Sequence, residues 1–371
     1  MGSLGVDAVI LGGGCIGASV AYHLAEAGLT EVLLLEADTL GSGSTSKAAG
    51  GIRLQHGDPL NVRLAQRSLA ELVAFEQLTG VDIFLRQVGY LFLISSPSDL
   101  AIFDRSVALQ QSLGVPVRVL SPDEAGELVP QLVTGDLVGA TFCPSDGFAT
   151  PEAVVQGYAT AARRSGVTIR QGERAARIIT AHGRVAAVLT ERGERIATPT
   201  VICAAGIGSR AIAATAGVDL PVSAERRRIF FSSHSGGISS DVPLTVDFAT
   251  GFYFHREGPG LLFGGRELTA EEMMAPAMHR LPVIADLPLK STWHGDYDMS
   301  PDHNAMVGHS AHLSGFYYAT GFSGHGFQLS PAVGEHLAEL VTGRQPSIDL
   351  APLRAERFAD ADGNRVEPIV I

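Results

Sequence analysis

Three glycines and a carboxylate at fixed spacing are the first residues in the chain with chemistry to offer. Gly12, Gly14 and Gly17 fit G-x-G-x-x-G, and Glu36 follows Gly17 by 19 residues. Glycine at the first position permits a tight turn, at the second a close backbone approach to a pyrophosphate, and at the third close packing of helix on strand. A helix starting there presents free N–H groups and the positive end of its dipole to phosphates. Glu36 is spaced to accept hydrogen bonds from an adenosine ribose. The chemistry is dinucleotide binding, and the spacing does not separate NAD from FAD. A second stretch, GSGSTSKAAGGIR at 41–53, has hydroxyls and amides that suit phosphate or a flavin ring edge.

The elements around these residues follow from periodicity. Val6–Leu11 is an apolar run with strand character; Ile16, Val20 and Leu24 have helical spacing, and Gly28 stops that helix. Val32–Leu35 is a second strand, so the unit is βαβ, and the 41–53 loop lies at the carboxyl end of a strand, where open α/β sheets bind ligands. Helices are expected over 61–78, 97–113, from Thr150-Pro151 to about 165, and over 331–341 with Ser330 as N-cap. Gly89–Ser95 reads as a strand. Short apolar runs between 167 and 203 read as a β-meander ending in Ala204-Ala205-Gly206. Strands alternate from 221 to about 289, whereas 293–308 shows turn chemistry and little periodicity. Arg226-Arg227-Arg228 reads as a solvated charge run.

Composition narrows the class. A charged fraction of 18% against 46% apolar fits a globular chain, and a net charge of −12 argues against a nucleic-acid partner. Cys15, Cys143 and Cys203 form no C-x-x-C pair, which suggests a reducing compartment and no structural zinc. No apolar run reaches the roughly 18 residues of a membrane span. With a strand at residue 6 there is no room for a signal peptide, and a cytoplasmic protein is expected. The histidines show no zincin pairing, so no metal is expected, and Gly321-Phe322-Ser323-Gly324-His325 fails G-x-S-x-G at its last position.

Taken in order, GGGCIG at 12–17, the 41–53 loop, GYLFLIS at 89–95, DGFATP at 146–151, AAG at 204–206, YDMSPDHNAMVG at 297–308 and GFSGHGFQLSPAVG at 321–334 resemble the D-amino-acid-oxidase-like family of FAD-dependent amine oxidoreductases. The chain is most similar to the flavin-binding β subunits of sarcosine oxidase and L-proline dehydrogenase. The resemblance implies an α/β fold with a discontinuous Rossmann-like FAD-binding domain (1–80, 145–220 and 300–371). It also implies an α+β substrate domain on a mixed β-sheet (81–144 and 221–299). It implies that Gly12, Gly14, Ile16, Gly17 and Glu36 hold the ADP half of FAD. Ser44, Thr45, Lys47, Gly50 and Gly51 would lie along the pyrophosphate and isoalloxazine. Ala175 would approach the adenine and Gly206 the diphosphate. Gly324, His325, Gly326, Phe327 and Gln328 would meet the pyrimidine edge, where N–H groups at a helix start stabilise negative charge on the reduced ring.

The implied reaction is oxidation of an amine C–N bond by hydride transfer to flavin N5, giving an imine that hydrolyses. Oxygen or an electron-transfer acceptor takes the electrons. Proline-like or N-methyl amino acids are favoured as substrates. D-amino acids, glycine-type substrates, and a flavin subunit inactive without partner chains stay open, as do homo- and hetero-oligomeric assembly. Gln328 stands where monomeric sarcosine oxidases have a carboxylate-binding lysine, Leu262 where they have an oxygen-promoting lysine, and Gly295 near their flavin-attachment cysteine. FAD is therefore expected to be non-covalent, and Arg53 or Arg266 to bind a substrate carboxylate. Tyr253, His325 and His56 complete the candidate catalytic set.

Overall fold

A computed structural model describes residues 4–266, 269–359 and 366–370. The no-leader expectation bears on residues 1–3, outside the described residues. The βαβ unit forms as its pattern requires. Ala8–Leu11 and Val32–Leu35 are buried parallel strands, in register Ala8 to Val32, joined by the Cys15–Glu26 helix. Gly12 takes φ +106°, and a Cβ there would sit 2.3 Å from the Ala204 carbonyl oxygen; a Cβ on Gly17 would sit 1.9 Å from the Gly12 oxygen. No larger residue fits either position.

These strands lie inside a six-stranded sheet in the order Met306–His309, Phe316–Thr320, Val201–Cys203, Ala8–Leu11, Val32–Leu35, Thr168–Arg170. Its pairs are parallel except at the Met306–His309 edge. The Cys15–Glu26 helix is buried along nearly its whole length, packed on the Pro151–Arg164 and Gly326–Val341 helices. A four-stranded sheet (Leu4–Gly5, Arg195–Ala197, Arg184–Thr190, Ala175–Ala181) accommodates the expected meander. An eight-stranded mixed sheet runs Leu289–Met299, Ser223–Ser232, Gly260–Arg266, Tyr253–Glu257, Leu244–Asp247, Tyr90–Ile94, Gly139–Cys143, Arg118–Leu120. Among the described residues no helix is long and apolar enough to cross a membrane.

Three local readings change. The last long helix starts at Gly326, not Pro331. A proline inside a helix orphans the carbonyl four residues back. Here that is Phe327 O, and the Ser330 hydroxyl donates to it at 2.8 Å, so the helix tolerates Pro331. Residues 293–299 are strand rather than turn: Leu289–Met299 pairs along Ser223–Ser232. That strand is half exposed on both faces, so no alternation marks it. Ala270–Arg280 is a helix within the stretch read as strands, with a Thr269–Glu272 capping box.

Gly334 is where the Gly326–Val341 helix touches the Cys15–Glu26 helix: a Cβ there would lie 2.1 Å from Ser19 Oγ and 2.8 Å from its backbone carbon. Helix propensity favours alanine by about 1 kcal/mol, but overpacking a filled contact costs about 1–3 kcal/mol. Gly334→Ala should therefore lower Tm. A raised Tm would show that the two helices can separate freely.

Candidate active site

Two adjoining cavities lie between the six-stranded and eight-stranded sheets, sharing Ala48, Tyr297, Gly324 and Phe327. The larger, about 860 Å³, is lined by Gly12, Gly14, Ile16, Glu36, Ser44, Thr45 and Lys47 from the first unit and its loop. Ala175, Gly206, Gly324, Gly326 and Phe327 also reach it. The Thr45 hydroxyl accepts from Cys15 N at 3.1 Å and ties the loop to the helix start. Glu36 accepts from Gly13 N (2.7 Å) and Asp38 N (2.8 Å), which fixes the glycine turn while its carboxylate still faces the cavity. Gly17 lines neither cavity; its part is the close packing on Gly12.

Asp298 is half-buried and lines the larger cavity, accepts from Gly321 N at 2.7 Å, and takes Ser323 N on its own carbonyl at 2.9 Å. Burial pushes its carboxyl up to about 6, against the pull of the Phe322 and Gly321 N–H groups. It shapes the 321–324 turn, in which Ser323 and Gly324 take positive φ. A Cβ on Gly324 would lie 2.5 Å from the Tyr297 ring, so only glycine lets that ring close the wall shared by both cavities.

The smaller cavity, about 80 Å³, joins Gly50, Gly51, Arg53, Tyr253, His325 and Gln328 with Tyr90 and Tyr297. Arg53 is its electrostatic centre. The guanidinium is buried, 2% exposed. One Nη1 hydrogen goes to Gln55 O, while Nη2 donates to His325 Nε2 at 2.8 Å and Ile369 O at 2.7 Å. The Arg53 backbone N donates to Gln328 Oε1 at 2.7 Å. Among the described residues every one of these acceptors is neutral, and Arg53 makes no ion pair. Asp146, within electrostatic reach, spends its oxygens on Leu54 N and Gln55 Nε2, and burial pushes its carboxyl up to about 7.

An Nη2 donor facing His325 Nε2 requires that nitrogen to be unprotonated, so the ring is neutral with its proton on Nδ1. Burial, then the Arg53 charge, holds the His325 and His56 imidazoles well below their ordinary values. His56 lines neither cavity. It stands behind the site, edge-on to His325 at 5.2 Å and 3.5 Å from Gln328 Nε2. Arg266 is not brought to the site: it is exposed at the end of its strand, its side chain along Gly251, and lines neither cavity. Leu262 is buried in the sheet core, and Gly295 packs against Lys47.

The solvated reading of the arginine run fails at Arg227. In a strand, neighbours face opposite ways. Arg226 pairs with Asp296 at the surface, whereas Arg227 is 5% exposed, with its guanidinium 4.9 Å over the Tyr297 ring and 2.5 Å from Glu225. Tyr90 and Tyr297 sit in motifs that the sequence does single out, GYLFLIS and YDMSPDHN. Their spacing alone does not aim them at a site.

The residues 7–340 match the family model described as DAO, FAD dependent oxidoreductase. The chain belongs to this family. It is 30% identical to the 4-methylaminobutanoate oxidase (formaldehyde-forming) of Paenarthrobacter nicotinovorans, over 97% of this chain and 46% of that one. It is also 30% identical to the mitochondrial sarcosine dehydrogenase of Homo sapiens, over 95% and 41%. The crystal structure of L-proline dehydrogenase from P. horikoshii, 29% identical, superposes with a TM-score of 0.90 over 96% of this chain and 98% of that one. The chain thus spans under half the length of the two curated relatives and nearly all of the solved one. The larger cavity has the lining that a member of this family needs for a dinucleotide. A cradle lined by Gly12, Gly14 and Gly206 leads from Glu36 and Ala175 to Tyr297.

The depressed histidines have a consequence for stability. A folded-state value below the unfolded 6.5 means that the unfolded chain takes up a proton the fold refuses, so stability falls as pH drops below about 6.5. His56→Gln should remove about 1 kcal/mol of the stability lost between pH 7.5 and 5.5. Denaturant midpoints at the two pH values read this out. Equal losses in both proteins would mean that His56 is protonated in the fold.

Proposed function

We propose that the chain oxidises the C–N bond of a small amine that carries a carboxylate, with secondary amines such as proline-like or N-methyl amino acids favoured. The observation that carries this is Arg53, a buried cation lining a small cavity and held, among the described residues, by neutral acceptors. A buried charge needs a partner, and a substrate carboxylate would supply one through charge-assisted hydrogen bonds. Tyr90, Tyr253 and Tyr297 would wall the aliphatic part of the substrate. The names of the three similar proteins point the same way, since methylaminobutanoate, sarcosine and proline are all secondary amines that carry a carboxylate.

FAD, non-covalent in this reading, supplies the acceptor for the hydride. Gly12, Gly14, Ile16, Glu36, Ser44, Thr45, Ala175 and Gly206 would hold its ADP and diphosphate portion. Lys47, Gly50, Gly51 and the 324–328 helix start would hold its ring. The chain's own residues bind and orient. Burial pushes the three tyrosines up and His325 down, so none of them changes protonation near neutrality. In this reading the amine arrives neutral or gives its proton to solvent. Buried, unpaired thiols at Cys15, Cys143 and Cys203 suit a cytoplasmic setting. The likeness of its motifs to flavin-binding β subunits supports one further reading, a flavin-bearing unit that works with partner chains.

Anaerobic mixing of the FAD-loaded protein with proline, sarcosine, glycine and D-alanine should bleach the flavin for at least one of them. With that substrate, Arg53→Leu should raise KM about 10- to 100-fold, the worth of a hydrogen bond to a charged group. Arg266→Leu should leave KM unchanged. The rise of kcat/KM with pH should track the amine's own ionisation. An inert panel, or an Arg53→Leu variant with wild-type KM, would overturn the proposal; turnover only after adding partner chains would favour the subunit reading.

A further inference from the structure

The arginine at the centre of the site is held in part from an unexpected direction. The segment 366–370 lies far from Arg53 in sequence, yet Glu367 and Ile369 are 1% and 0% exposed. The Glu367 carboxylate accepts from Gly57 N (2.7 Å), Asp58 N (3.2 Å), Asn61 Nδ2 (2.8 Å) and Ile369 N (3.1 Å), while its own N donates to Asp302 O at 3.0 Å. Pro368 lies flat on Gly57, where a Cβ would approach it to 2.3 Å. The Ile369 side chain enters the apolar cluster that contains Tyr90, Phe92, Leu244 and Tyr253. Its carbonyl oxygen takes the Arg53 Nη2 hydrogen at 2.7 Å.

We propose that the segment 366–370 is a positioning element of the substrate site. It holds the Arg53 guanidinium in place with a carbonyl dipole and backs two of the tyrosines that wall the small cavity. The inference rests on the carboxylate-binding reading of Arg53 and adds to it the element that fixes the cation. A carbonyl is suited to the task because it solvates a guanidinium hydrogen without neutralising the charge, which stays available to an incoming anion. Glu367 is the one carboxylate in the segment, and its oxygens are spent on backbone and amide hydrogens rather than on Arg53. The segment lines neither cavity, so FAD retention does not depend on it.

The test compares three variants of the FAD-loaded protein: the chain lacking residues 366–371, full-length Gly57→Ala (which drives a methyl into Pro368), and Arg53→Leu. Binding of pyrrole-2-carboxylate, a planar proline analogue, is read from the flavin absorption spectrum beside its carboxamide. The expected result is wild-type FAD content with at least tenfold weaker carboxylate binding in all three variants, a larger loss than for the carboxamide. The synthetic peptide Val-Glu-Pro-Ile-Val-Ile should restore carboxylate binding to the shortened chain and leave Arg53→Leu unaffected. If the shortened chain does not fold, Gly57→Ala with the same readout decides. Wild-type carboxylate affinity in the shortened chain or Gly57→Ala, with weakened binding in Arg53→Leu, would overturn the segment's role and leave the carboxylate reading standing. Wild-type affinity in Arg53→Leu would overturn both.

Discussion

A positive charge solvated by neutral groups is the constraint on which the site depends. Arg53 leaves the short Gly51–Ile52 strand and is met by Gln55 O, His325 Nε2 and Ile369 O. Each acceptor comes from a different part of the chain, so the guanidinium joins the first loop, the start of the last long helix and the segment 366–370. Burying an unpaired charge is expensive, and the fold meets that cost with oriented lone pairs. Keeping His325 neutral is part of the same arrangement, since a protonated ring would repel the guanidinium and withdraw an acceptor. Phe92 lies 5.4 Å from the Arg53 carbon, so even the apolar side of the arginine is engaged.

The division between cavities follows from where side chains are missing. Gly12 and Gly17 allow the first turn and helix to close up, and the large cavity opens above them. Gly324 allows Tyr297 to close the boundary with the small cavity, and Arg227 presses its guanidinium on that ring from behind. Glycine at one end and aromatic rings at the other divide the space into a long cradle and a small polar-aromatic chamber. In the proposed function the arrangement would separate holding a dinucleotide from orienting a substrate, the task left to a protein whose cofactor carries the hard chemistry.

Much of this was legible in the chain. The βαβ unit was readable because steric need selects glycine at Gly12 and Gly17, and no tertiary partner alters that need. Parallel strands buried on both faces also read clearly. What escaped was set by partners distant in sequence. The Leu289–Met299 strand is half exposed and takes its form from pairing with Ser223–Ser232, so its own pattern is mute. The true start of the last helix was hidden by Pro331, whose orphaned carbonyl is rescued by the Ser330 hydroxyl. Arg226-Arg227-Arg228 looked uniform, but strand parity sends Arg227 alone into the interior beneath Tyr297. Between Arg53 and Arg266 the residue types were equal; only the folded chain shows that one lines the chamber and the other stays exposed at the end of its strand. Nothing local in the sequence tied Ile369 to Arg53.

The most direct test of the account is a crystal structure of the FAD-loaded protein with pyrrole-2-carboxylate. The carboxylate should lie on the Arg53 guanidinium at about 2.7–2.9 Å, with Gln55, His325 and Ile369 still holding the remaining hydrogens. A carboxylate bound elsewhere, or an Arg53 already paired with an acidic side chain of the protein, would contradict it.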